Sequence, residues 1–152
     1  MAEPRSIAFD EAETTERVRA WLLREGFQAD EIRALKPTGR GVDLVANGPA
    51  GRWHIEVKGG TSSRRGSIRD GKGFTSNQII DRVMKGFFTA AAMAEAEGRG
   101  AARVGLAIPR SALAEFYVGK VRSAMAALGI AMLWVEEDGS VVVANDSQGR
   151  NR

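Results

Sequence analysis

Two short, unbroken apolar runs, Arg103 to Ile108 and Ile130 to Val135, most restrict the folds open to this chain. A strand with no polar alternate face needs cover on both sides, the position of a buried strand in a sheet that carries helices. The segments before and between them supply the cover. Ser76 reads as the N-cap of a long helix to about Glu97, with Ile79, Ile80, Val83, Met84, Phe87, Phe88 and Ala91 at helical spacing and Gly98 closing it. Ser111 caps a second helix, to about Leu128, stopped by Gly129. Asp138-Gly139 then makes a tight turn into Val141 to Ala144.

The first half reads as a helix followed by short strands. Asp10 to Glu25 has acids in its first turn, an apolar stripe of Val18, Trp21 and Leu22, and Gly26 as its stop. Ile32 to Lys36 is a short extended piece ahead of the turn Pro37-Thr38-Gly39. Val42 to Ala46 alternates as a strand, ended by Asn47-Gly48-Pro49, and Trp53 to Lys58 is its hairpin partner. The order αβββαβαββ predicts an α/β sandwich, a central mixed sheet flanked by helices. A single domain over 1–144 and a polar tail over 145–152 are expected, with no internal repeat or linker.

Composition narrows the chemistry. The chain has 152 residues, about one domain's worth. It has no Cys and one His, so any metal must be held mainly by carboxylate oxygens, which points to magnesium or manganese. No apolar run approaches the roughly 20 residues that span a bilayer, and the opening MAEPRSIAFDEAE carries acids where a signal peptide wants an apolar core. A cytoplasmic protein with no membrane partner is expected. Residues 1–31 hold eight acids against four bases, a net of −4 in a chain whose total is +3, so the rest carries +7. That excess favours a polyanionic partner.

Gly41-Val42-Asp43-Leu44-Val45-Ala46 followed by His54-Ile55-Glu56-Val57-Lys58 carries the chemistry. The period of two puts Glu56 and Lys58 on one face of their strand, and hairpin pairing brings Asp43 within reach of both. Two carboxylates held a few ångström apart repel unless a cation sits between them, so the arrangement asks for a divalent metal. The adjacent Lys can then hold the attacking water or neutralise charge on a phosphate. The alternative is an ion pair decorating the exposed face of a hairpin.

Asp43, followed thirteen positions on by Glu56-Val57-Lys58 and preceded by a helix containing Glu, resembles the PD-(D/E)XK (restriction-endonuclease-like) nuclease superfamily. Val42 to Ala46 and Ile55 to Lys58 are most similar to archaeal-type Holliday junction resolvases, as is the opening Thr15-Glu16-Arg17, Leu22-Leu23, Glu25-Gly26-Phe27. The resemblance covers residues 10–60 and beyond them only the order of elements. It implies a restriction-endonuclease-like sandwich in which Asp43 and Glu56 ligate one or two Mg2+ (or Mn2+) ions, with the Val57 carbonyl as a further ligand. Lys58 would position the attacking water and stabilise the pentacovalent phosphate, Glu16 would add a carboxylate with Glu13 as its rival, and the product would carry a 5′-phosphate. Gln78 is similar to a glutamine that some members place near the metal; it reads equally as a plain polar residue of the first helical turn, and Lys85 as a solvated one.

Residues 59–73, GGTSSRRGSIRDGKG, read as an exposed, mobile, cationic loop. Its Arg64, Arg65, Arg69 and Lys72 suit sequence-independent contact with a duplex backbone, since no aromatic is present to stack on bases. His54 shares the Glu56 face and either touches a phosphate or serves packing. Trp21, Trp53, Trp134 and the Met and Phe of residues 84–93 read as core. The leading expectation is a metal-dependent DNA endonuclease acting on duplex or branched DNA. A junction resolvase must cut two symmetric strands and so needs a homodimer; a restriction, repair or defence nuclease fits the same residues. The other readings are a non-catalytic nucleic-acid-binding module on the same fold and a carboxylate–metal phosphohydrolase acting on nucleotides.

Overall fold

The computed structural model describes residues 9–35, 42–60, 76–98 and 102–144, with the side chains of Val42 and Asp43 outside that description. Helix α1 (Glu11–Arg24) and a single 3-10 turn (Ala29–Glu31) precede strands β1 (Ile32–Leu35), β2 (Val42–Gly48) and β3 (Gly51–Val57). Helix α2 (Ser76–Glu97), β4 (Arg103–Pro109), α3 (Ala112–Gly119), α4 (Arg122–Leu128), β5 (Ile130–Val135) and β6 (Val141–Ala144) complete it. The six strands form one open sheet in sequence order. β1, β2 and β3 make an antiparallel meander, β3, β4 and β5 are parallel, and β6 returns antiparallel to β5.

The pleat divides the core into two layers. Leu44, Ala46, Trp53, Ile55, Val57, Ala107, Leu133 and Val135 face α1 through Val18, Trp21 and Leu22. Val104, Leu106, Ile108, Ile130, Met132 and Trp134 face α2, α3 and α4 on the other side. The three tryptophans are packing residues as expected, and Trp21 meets Trp53 edge to face at 5.6 Å between ring centroids. The Arg103 guanidinium lies 4.0 Å above the Trp53 ring.

Local chemistry explains the element ends. Asp10 caps α1 by accepting from the Glu13 N–H at 2.7 Å, and Ser111 caps α3 by accepting from the Ala114 N–H at 3.1 Å. β2 and β3 run longer than their sequences suggest, because Pro49 falls within the two-residue turn and leaves Asn47 free to pair with Arg52. Gly51 at φ +130° makes the turn possible. In the Asp138 turn, the Ser140 hydroxyl and N–H both donate to the Asp138 carboxylate, holding it below its ordinary pKa.

Three expectations are corrected. The single helix from Ser111 to Leu128 is two, because the poor helix former Gly119 ends α3 and Lys120 and Val121 donate to carbonyls three residues back, tightening the chain. Ser76 is the first helical residue of α2 rather than its cap. Met84 and Phe88 are not core: they are 64% and 74% exposed, because α2 buries the stripe Ile79, Val83, Gly86, Ala90 and Met93, and Met84 and Phe88 lie opposite it.

Candidate functional site

The site is built at the end of β3. Glu56 and Lys58 share a face, as the alternation predicts, but that face is not solvent. It is the layer covered by α2, and Lys58 Nζ stands 3.0 Å from Glu56 Oε1 with side chains 4% and 3% exposed. A buried pair is costly to desolvate, and its mutual attraction repays that only when geometry is good. A merely decorative surface pair does not meet that description.

Register places Asp43 directly opposite Glu56, and Leu44 opposite Ile55. The Asp43 side chain lies outside the described residues, so what the strands fix is the backbone juxtaposition. Glu56 is also aligned with Leu106 of β4, and the Lys58 N–H donates to the Ala107 carbonyl at 2.9 Å. The pair thus sits where β3 leaves the sheet, flanked by an antiparallel and a parallel neighbour.

Two glycines let other elements close on this point. At Gly59 a Cβ would fall 2.5 Å from the Glu11 backbone nitrogen, so the start of α1 rests against the chain immediately after Lys58. The Gly60 N–H then donates to the Phe9 carbonyl at 2.7 Å. Gly59 and Gly60 are therefore buried packing residues, not part of an exposed loop. At Gly86 a Cβ would lie 2.7 Å from Leu106 Cδ1 and 3.4 Å from Lys58 Cγ, so α2 lies directly on the lysine stem.

The other candidates divide. Val57 turns its side chain into the α1 layer, leaving its carbonyl at the β3 exit. Gln78 is half-buried on α2 and engaged by a neighbour, as are Glu56 and Arg82. Glu16 is not brought to this group: it is exposed on the side of α1 turned away from the sheet, and α1 covers the face opposite Glu56 and Lys58. Glu13 is exposed as well. The α1 acid nearest the β3 exit is Glu11, which sequence reasoning missed because only the Gly59 contact reveals which turn of the helix docks there. Lys85 pairs on the surface with Asp81 at 3.1 Å. His54 Nδ1 lies 3.4 Å from Glu97 Oε1, tying β3 to the far end of α2 rather than entering the site. Arg64, Arg65, Arg69 and Lys72 lie outside the described residues.

The donors here among the described residues are oxygens: the Glu56 carboxylate and the Val57 carbonyl. That set suits a hard divalent cation such as Mg2+ and offers nothing to a soft one. Among the described residues no three His, Cys, Asp or Glu side chains cluster as a complete metal site. No helix among them is long and apolar enough to cross a membrane. Compared with protein-family models, curated proteins and solved structures, the chain matches none.

Proposed function

We propose that this chain is a metal-dependent DNA endonuclease of the restriction-endonuclease-like superfamily. The observation that carries the reading is the buried Glu56–Lys58 pair, set opposite Asp43 where β3 leaves the sheet. The mixed sheet, a three-stranded antiparallel meander joined through α2 to a parallel fourth strand, supports the reading at the level of an α/β fold.

In this reading Asp43, Glu56 and the Val57 carbonyl hold Mg2+, which when bound offsets the negative charge of the phosphate. Lys58 holds the attacking water and donates to the phosphate oxygens as negative charge builds on them. Water adds to phosphorus, the bond to the 3′ oxygen breaks, and the products carry a 5′-phosphate and a 3′-hydroxyl. Burial beneath α2 fixes the lysine rotamer before substrate arrives, which lowers the cost of orienting it. Glu16, exposed on α1 across the sheet from Glu56 and Lys58, is left out of this reading. Arg64, Arg65, Arg69 and Lys72 would grip the duplex backbone. A resolvase would further require a two-fold dimer, for which Met84 and Phe88 offer exposed apolar surface.

One observation favours a second reading. Lys58 already neutralises Glu56, so the pair is electrostatically satisfied without a metal, as a non-catalytic binding module would need. Nicking of supercoiled DNA by wild type and Asp43→Asn, with Mg2+ or with EDTA, separates the two. The endonuclease cuts only with metal and only with Asp43 present; DNA binding with no cutting in Mg2+ supports the module.

A further inference from the structure

Two contacts set the direction of α2 over the sheet. Gly86 rests on Lys58, and eleven residues later Glu97 reaches His54, four residues earlier in β3. The helix therefore runs back along β3, and the ten residues from Ser76 to Lys85, about 15 Å of helix, project beyond the strand's end. Ile79 and Val83 seat this stretch on the core layer of Ile108 and Trp134, and in the nuclease reading its free flank faces the side from which a phosphodiester reaches Lys58.

The overhang has two unlike flanks. On one, Phe87, Ala91 and Ala94 join the core layer shared with Leu113, Tyr117 and Val121 of the α3–α4 region. Right-handed crossovers put that region on the β5 side of α2, so the opposite flank is turned toward β2 and β3. It carries Gln78, Arg82 and Thr89, all half-buried. Gln78, Arg82 and Gly86 follow one another at i, i+4, i+8, a single row along the helix that ends on the Lys58 stem. Lys85 lies further round, where Asp81 takes its charge.

We infer that Arg82 is a substrate-binding residue, donating from the α2 overhang to a backbone phosphate that flanks the one cut at Lys58. One helical turn, about 6 Å, separates it from the residue that rests on the lysine. A guanidinium is the group suited to bidentate contact with a phosphate, and partial burial reduces the side-chain entropy lost on binding. Gln78, one turn further out, extends the same polar row. The inference rests on the nuclease reading.

The test is duplex binding by fluorescence anisotropy in EDTA over a range of salt, with steady-state cleavage in Mg2+ beside it, for wild type, Arg82→Ala and Arg82→Lys. Arg82→Ala should bind about tenfold more weakly and its slope of log K against log salt should fall by about 0.9, the value of one lost phosphate contact. Its KM should rise with kcat within about threefold of wild type, because a flanking contact is made equally in ground and transition states. Arg82→Lys keeps the charge and should retain the salt slope, which guards against Arg82→Ala failing to fold. Wild-type binding and slope in Arg82→Ala, or loss of the slope in a folded Arg82→Lys, overturns the inference. A wild type that neither binds nor cuts DNA overturns the nuclease reading itself.

Discussion

Lys58 Nζ lies 3.0 Å from Glu56 Oε1, two residues away on the same face of the β3 chain and buried in the layer that α2 covers. Removing one member leaves the other charged and buried, which typically costs 3–5 kcal/mol, whereas removing both is close to neutral. Lys58→Met should therefore lower the unfolding free energy by about 3 kcal/mol or more, and Glu56→Gln with Lys58→Met should recover most of it. Urea unfolding of wild type and the two variants checks this. Equal stability in the single and double variants would contradict the account of a tightly coupled pair.

Cleavage should separate from binding at the same residue. Lys58→Ala is expected to lose cleavage by a factor of about 10² or more while duplex affinity in EDTA stays within a fewfold of wild type. Anisotropy and single-turnover cleavage on one preparation measure both. Cutting at the wild-type rate by Lys58→Ala would remove the lysine from the mechanism.

Gly86→Ala tests how closely α2 must approach. The new methyl would sit 2.7 Å from Leu106 Cδ1, in a fully buried layer, and 3.4 Å from Lys58 Cγ. Overpacking costs about 1–3 kcal/mol, against a gain of about 1 kcal/mol in helix propensity. A net loss of about 1 kcal/mol is expected by urea unfolding, together with slower cleavage as the helix is displaced from the lysine.

Gly59→Ala should be worse, because its Cβ would meet the Glu11 backbone nitrogen at 2.5 Å and the Asp10 carbonyl carbon at 2.8 Å. A main chain at a helix start yields less readily than a leucine methyl. The expected loss is about 3 kcal/mol or more, read as a lowered Tm.

The strands were legible because their period and their apolar runs left few choices. Glu56 and Lys58 were placed correctly on one face by alternation alone. Their burial was not legible, since it depends on α2 lying across them, and that depends on Gly86 having no side chain. Phe88 and Met84 misled for the complementary reason: apolar residues run around much of α2, and only packing against α3 and α4 selects the buried stripe. Glu16 is favoured by its place in a motif, yet it is the first turn of α1 that rests on the chain after Lys58, a contact that the apolar stripe of α1 does not disclose. Arg82 does not stand out in the sequence, because a single arginine in an amphipathic helix reads as ordinary surface charge.

The cationic segment makes a separate prediction. Replacing Arg64, Arg65 and Arg69 together by Ala should weaken duplex binding and reduce the salt slope by up to about 2.7, with the metal dependence of cleavage unchanged. Anisotropy across salt concentrations measures it. An unaltered slope would place the duplex elsewhere on the molecule.

The central claim is that Asp43, Glu56 and Lys58 form one metal-dependent phosphodiesterase centre, and its most direct measurement is cleavage of labelled four-way junction, linear duplex and single-stranded DNA. Each is incubated with Mg2+, Mn2+ or EDTA, wild type beside Asp43→Asn. The account predicts cutting that requires the metal, leaves 5′-phosphate ends and disappears in Asp43→Asn, with symmetric nicks confined to the junction if the enzyme is a resolvase. Cutting that persists in EDTA or in Asp43→Asn, or DNA binding with no cutting in any metal, would contradict it.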